Sequence, residues 1–252
     1  MASKEVIDRE KAAREVVAAG ETHGAAAADA LSALLTPLLK RGEKMPDIGL
    51  LMALMGRRLE ATSAALVKAD DTHEKELGDD AEPRARRDAA ASALYAVATE
   101  LRDQIASVLG DGALVALGVA GATPDDPSQL ASWTASLVSG LRSKALALPA
   151  PKRRTAKIDR EAMAEELEAR FTPLAVALRD VARERREAEA TQAAKNVAME
   201  SHDAAFAQTA GLCTALFRAA KMDHMADRVR PSRRRAGRTE ESDPAEGEKK
   251  PG

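Results

Sequence analysis

This chain draws 45% of its residues from the apolar set, yet among 252 positions it has three Phe, one Trp and one Tyr. Alanine supplies about half of that fraction, with Leu, Val and Met adding bulk. Aromatic side chains bury the most area per residue. A core of Ala and Leu must instead gain its area by close packing along long contacts. Helices do this well, and Ala, Leu, Glu, Arg and Lys are the strongest helix formers. Residues that favour strands are sparse and never cluster in alternation. The expected fold is all-α: an elongated bundle of antiparallel helical hairpins, about seven helices by their apolar periodicity, with a disordered carboxy-terminal tail.

Charged residues make up 31% of the chain but nearly cancel, leaving a net of -2. That balance gives no global attraction to nucleic acid or to an anionic membrane. The single Cys213 cannot form an intramolecular disulfide and fits a reducing compartment. The amino terminus is charged throughout and lacks the apolar region of a signal peptide. The apolar stretch at 112–122 is too short to span a bilayer. A cytoplasmic location without membrane contact is expected.

Helix punctuation is readable along the chain. Ser3 is placed to cap a first helix, and Gly20 and Gly24 weaken it near His23. Leu31, Leu34, Leu35 and Leu38 then share a face, and Arg41-Gly42 fits a stop. Pro46-Asp47 opens a helix carrying Leu51, Met55, Leu59 and Leu66. A break is expected at 78–83, followed by the seam Leu94, Val97, Leu101, Ile105 and Val108. Residues 47–109 thus read as an antiparallel hairpin. Asp126-Pro127 starts a helix with Leu130, Trp133, Leu137 and Leu141, where Trp133 anchors a core. Asp159 caps another, with Ile158 stapled to Met163. Pro173 predicts a bend or boundary near Phe171. Residues 182–196 lack large apolar side chains and are expected to be helical but poorly buried. The expected division is 1–148 as an amino-terminal helical bundle and 149–157 as a proline-rich basic linker. A carboxy-terminal helical hairpin follows over 158–227, then a basic-then-acidic tail over 228–252.

Three of the four histidines follow an acidic and then a hydroxyl residue, in Glu21-Thr22-His23, Asp71-Thr72-His73 and Glu200-Ser201-His202. Carboxylate-bridged metal bundles use Glu-x-x-His pairs facing inward. Asp70 and His73 have that spacing; Glu200 and His202 do not, and His23 has no carboxylate three or four residues before it. A metal site from Asp70, His73, Glu200, His202 and His23 therefore requires the fold to bring them together. The simpler reading makes Thr22, Thr72 and Ser201 cap or turn residues at helix junctions. The Cys and His counts fit no zinc pattern. Cys213 lies in an apolar stripe with Phe206, Ala210 and Phe217, where a thiol is inert packing. There is no phosphate-binding glycine loop and no nucleophile elbow.

No catalytic residue or cofactor is therefore expected. The leading expectation is a non-enzymatic helical scaffold or protein-interaction protein. It would act through helix seams, as a coiled-coil-like homo-oligomer or with a protein partner. The alternative is a nucleic-acid-associated protein using Arg228, Arg230, Arg233, Arg234, Arg235 and Arg238 to contact phosphates. A metal-binding helical bundle ranks third.

Overall fold

The computed structural model describes residues 3–79, 81–153, 155 and 157–240. Among these residues the protein is all-α, with seven α-helices and no strand. The helices are α1 (Lys4–Leu35), α2 (Ile48–Asp79), α3 (Ala81–Leu109), α4 (Asp111–Ala116), α5 (Pro127–Arg142), α6 (Arg160–Ala219) and α7 (Asp223–Arg228). A 3-10 turn, Thr36–Leu38, follows α1 where Pro37 cannot continue the α-helical bonding.

Two compact units divide the chain, and they are not consecutive in sequence. Unit 1 is drawn from Met1–Lys75 and Glu189–Gly252, and unit 2 from Glu76–Ala188. The division falls within α2 and α6, and the 149–157 stretch lies inside unit 2.

Unit 2 packs around the seam read from α3. Leu94, Leu101 and Ile105 meet Leu114 of α4, Leu117 just after it, Leu130, Leu137 and Leu141 of α5, and Leu167 and Leu174 of α6. Trp133 and Ile158 pack on its margin, and Met163 is part of the same core. Two starts predicted from Asp caps are present. Asp126 Oδ1 accepts from the N–H groups of Ser128 and Gln129 at 3.0 and 2.9 Å. Asp159 Oδ1 accepts from those of Glu161 and Ala162 at 3.2 and 3.1 Å. Gly140 lets α5 approach the turn after α4: a Cβ there would lie 2.8 Å from Leu117 Cδ2 and 3.2 Å from its carbonyl oxygen. The basic stretch also packs, with Lys152 donating its N–H to the Val108 carbonyl at 2.9 Å and its ammonium to that of Ala106 at 3.0 Å.

Unit 1 is built from α1, the larger part of α2, the second half of α6, and α7. Val16, Leu31, Met52 and Leu59 enclose Phe206, Cys213 and Phe217. Asp47 starts α2, its carboxylate accepting the Leu50 N–H at 2.8 Å.

Several expectations are corrected here. α1 runs unbroken through Gly20 and Gly24. Gly24 is buried, and a Cβ built on it would lie 3.7 Å from the Met52 side chain, so packing of α1 on α2 offsets the local cost of glycine. α6 runs unbroken through Pro173, so residues 158–227 form one long helix and the short α7 rather than a hairpin. Proline removes one donor from the ladder, and burial of Leu174 and Ala177 in the unit 2 core holds the helix there. The two helices of the expected 47–109 hairpin serve different cores: Met52 and Leu59 of α2 lie in unit 1, and the α3 seam lies in unit 2. No residue of 182–196 is buried, as its composition predicted, and the unburied stretch extends over 178–201. Residues 228–240, expected within the tail, carry defined structure described below. The remainder of the tail, 241–252, lies outside the described residues.

Candidate functional site

The three hydroxyl residues beside the histidines do not mark helix junctions. Thr22 lies within α1, Thr72 within α2 and Ser201 within α6. Thr72 satisfies its hydroxyl inside its own helix, donating to the Lys68 carbonyl at 2.8 Å. The junction reading is therefore corrected: these are ordinary helix positions, and the repeated tripeptide has no common structural role.

Asp70 and His73 share a helix face, as their spacing implies, but each has its own partner in unit 1. Asp70 is fully buried. Its carboxylate accepts from the Ser3 N–H at 2.6 Å and the Ser3 hydroxyl at 3.0 Å, and it pairs with Lys195 at 2.6 Å. Burial alone pushes this carboxyl up. Lys195 and Ser3 more than offset that, and its pKa lies below the ordinary 3.8. Ser3 thus sits at the N-cap of α1 with its side chain turned to Asp70, away from the helix amides. His73 Nδ1 lies 3.0 Å from the Thr191 hydroxyl.

His202 is fully buried, stacked on Phe206 with ring centroids 6.3 Å apart. Its Nδ1 is 3.4 Å from Asp203 Oδ1, and its Nε2 has no hydrogen-bond partner. Asp203 accepts a two-pronged bond from Arg9, at 2.9 Å from Nε and 3.1 Å from Nη2. Burial raises this carboxyl, and His202 and Arg9 together bring it below its ordinary value. An Asp–His pair is also how enzymes orient a general base. Here the free ring nitrogen is enclosed in the core and the carboxylate is already neutralised by Arg9, so the pair is a polar layer of the core.

The proposed metal ligands are not gathered. Glu200 is exposed, and His23 is half-buried in the middle of α1. Among the described residues, the set of three ligand atoms lying within 4.8 Å of one another is that of Glu76, Glu184 and Glu187 in unit 2, and it includes no histidine. Arg183 pairs with Glu184 at 3.0 Å beside it. The Cys213 thiol is buried in the unit 1 core, and burial raises its pKa to about 11. That keeps it protonated and unreactive at neutral pH.

Two surfaces of unit 1 went unread in the sequence. The first is a cleft of about 350 Å³ between α1 and α2, lined by Gly20, Gly24, Gly49, Gly56 and Cys213. Where α1 ends and α2 begins, large apolar side chains face outward. Leu38 is 74% exposed and Leu34 57%, with Leu39, Leu50, Leu51 and Leu54 also exposed. Leu31, Leu34 and Leu38 do not stay on one buried face: Leu31 is buried, Leu34 is exposed in the last turn of α1, and Leu38 is exposed in the 3-10 turn that follows.

The second is a strap formed by residues 229–240. Val229, the sole large apolar residue of the tail read in sequence, is buried in the unit 1 core. Beyond it the chain doubles back. The Ser232 N–H donates to the Arg238 carbonyl at 2.7 Å and that of Glu240 to the Arg230 carbonyl at 2.9 Å, with Pro231 and Thr239 bridged antiparallel. Arg230 pairs with Glu240, and Arg238 with Asp8 at 2.6 Å. Gly237 has φ +69° and lies against the Arg9–Asp203 pair, where a Cβ would fall 2.4 Å from Asp203 Oδ1. No other residue fits that position without displacing the strap. Arg233, Arg234 and Arg235 are exposed at its tip, and Arg228 is exposed at the end of α7.

No protein-family model matches this chain, and no curated protein or solved structure matches it. No described helix is long and apolar enough to cross a membrane.

Proposed function

We propose that the protein is a non-enzymatic interaction protein that associates with a second copy of itself through the leucine-rich end of unit 1. The observation that carries this reading is the exposure of six leucines between positions 34 and 54. Monomeric surfaces rarely concentrate large apolar side chains in this way, and such patches mark association sites. A second copy is favoured by the flanking charges. The exposed 40–47 loop carries Lys40, Arg41 and Lys44 together with Glu43 and Asp47. A two-fold contact sets one patch against its own image, so a rim of both signs can place opposite charges together around an apolar centre. The non-enzymatic part rests on the buried ionisable groups: Asp70 and Asp203 are ionised and fully partnered within the core, and Cys213 is held protonated.

Size-exclusion chromatography with light scattering tests this. The wild-type chain is expected to run as a dimer that dissociates on dilution. The double variant Leu38→Asp, Leu54→Asp is expected to weaken association by about a hundred-fold or more, since each buried leucine contributes roughly 1.5–3 kcal/mol. Both residues are exposed, so the helical circular dichroism should not change. A wild-type monomer at high concentration, or a dimer that survives the substitutions, would overturn the reading.

A further inference from the structure

The segment joining α1 to α2 carries its charges unevenly. Glu43 accepts the Lys40 N–H at 2.8 Å and Asp47 accepts the Leu50 N–H at 2.8 Å, so both carboxylates are engaged by backbone amides. Lys40, Arg41 and Lys44 are exposed, and among the described residues no ion pair engages them. Leu38 and Leu39 stand exposed just before them. The cleft between α1 and α2 has the opposite character. Val16, Val17 and Met52 make its lining apolar, and Gly20 and Gly56 leave it open. Glu21 of α1 and Glu60 of α2 are exposed at its rim, and among the described residues neither has an ion-pair partner. Arg57 shares that rim and leaves it net acidic.

We propose that this cleft receives the turn of a second copy. Leu38 and Leu39 of one protomer enter the cleft of its partner, and the basic residues that follow them meet Glu21 and Glu60 at the rim. The inference rests on the dimer reading above and adds to it the site that each copy completes in the other. The space fits: a cavity of about 150 Å³ already holds a benzene-sized group, and the cleft measures about 350 Å³. The charges fit, with a basic turn meeting an acidic rim, which fixes register as well as attraction. The geometry calls for a second chain. From Gly24 to its end at Leu35, α1 rises about 16 Å, so the turn lies well away from the cleft of its own chain. A two-fold axis between the two, among the exposed Leu34, Leu50 and Leu54, sets each turn over the other copy's cleft, so both sites form at once.

Cross-linking tests this directly. Two full-length chains, both carrying Cys213→Ala, are mixed: one has Leu38→Cys and the other, with a tag that changes its size, has Ala53→Cys. Ala53 is exposed and lines the cleft. A disulfide needs Cα atoms within about 7 Å, so under mild oxidation the link between unlike chains should exceed either link between like chains about ten-fold. Charge reversal gives a second readout by light scattering on dilution. Glu21→Lys with Glu60→Lys in one chain, and Lys40→Glu with Lys44→Glu in another, should each weaken self-association about ten-fold. Mixed together they should recover a dimer, because each turn then faces a rim of opposite sign. All four residues are exposed, so the helical circular dichroism should stay unchanged. A monomeric wild type would overturn this inference together with the dimer reading. Given a wild-type dimer, three results would overturn the inference alone: no link between unlike chains, a link between two Leu38→Cys chains of equal strength, or charge-reversed chains that associate no better mixed than apart.

Discussion

Asp70 keeps an ionised carboxylate away from water because three donor groups meet it, two from Ser3 just before α1 and one from Lys195 of α6. Removing one side of a buried pair leaves the other charge uncompensated, at a cost of about 3–5 kcal/mol. Asp70→Ala should therefore lower the unfolding free energy by about that amount at neutral pH, measured by urea denaturation. The sign of the pH dependence follows from the direction of the shift. The folded pKa lies below the unfolded one near 3.8, so the stabilisation is complete above that value and is lost as pH falls through the depressed pKa. The gap between wild type and variant should narrow in acid. A gap of constant size down to about pH 2 would show that ionisation of Asp70 is not its source. In the sequence, the spacing of Asp70 and His73 was legible and their partners were not. Ser3 and Lys195 lie far away along the chain, and nothing local marks a serine at a helix start as a partner for a distant carboxylate. The same holds for Arg9, whose match to Asp203 has no sequence periodicity.

At the scale of elements, the local rules worked where the chemistry is local. Asp126 and Asp159 cap the helices their positions predict, and Asp47 caps the helix that Pro46-Asp47 opens, because a carboxylate and the amides it accepts from lie within three residues. Glycine and proline signals failed in α1 and α6, where burial of neighbouring side chains outweighs their local cost. The most connected device in unit 2 was missed altogether. Arg160, in the first turn of α6, donates to the carbonyls of Gly140, Leu141, Ser143 and Leu146 at 2.7, 2.8, 2.7 and 3.2 Å. It closes the carboxy-terminal end of α5, where helix carbonyls lack partners and the dipole favours a cation. Arg160→Ala is expected to cost about 3 kcal/mol, since bonds from a charged donor contribute roughly 1.5–3 kcal/mol each and the freed carbonyls are partly rehydrated. Hydrogen exchange should show faster exchange across α5 than across α1. Equal protection in wild type and variant would remove Arg160 from this role.

For the whole molecule, the informative quantity is how far apart in sequence the contacts of each unit lie. Unit 2 is one continuous segment. Unit 1 joins the two ends of the chain, through pairs such as Arg9 with Asp203 and Asp8 with Arg238, which are 194 and 230 residues apart. Closing long loops before any contact forms slows folding. Amides of α3 and α5 are therefore expected to become protected earlier in refolding than those of α1, as read by pulsed hydrogen exchange. Simultaneous protection, or α1 first, would contradict this. The proline-rich stretch at 149–157 carried a correct local message, a break between helices, but gave no account of which segments share a core. Composition fixes the class of fold, because Ala and Leu cannot build much else, whereas the pairing of segments depends on shape complementarity between surfaces that look alike when written as letters.

The contact between His73 and Thr191 gives this division a further meaning. These residues stand just inside the two points where the chain leaves and re-enters unit 1, and their side chains are 3.0 Å apart. A turn of a few residues could join position 75 directly to 189. In sequence, unit 2 is therefore an insertion between the unit 1 parts of α2 and α6. Excising it would leave the circuit of unit 1 closed, and lengthening or exchanging it would leave that circuit's ends where they are.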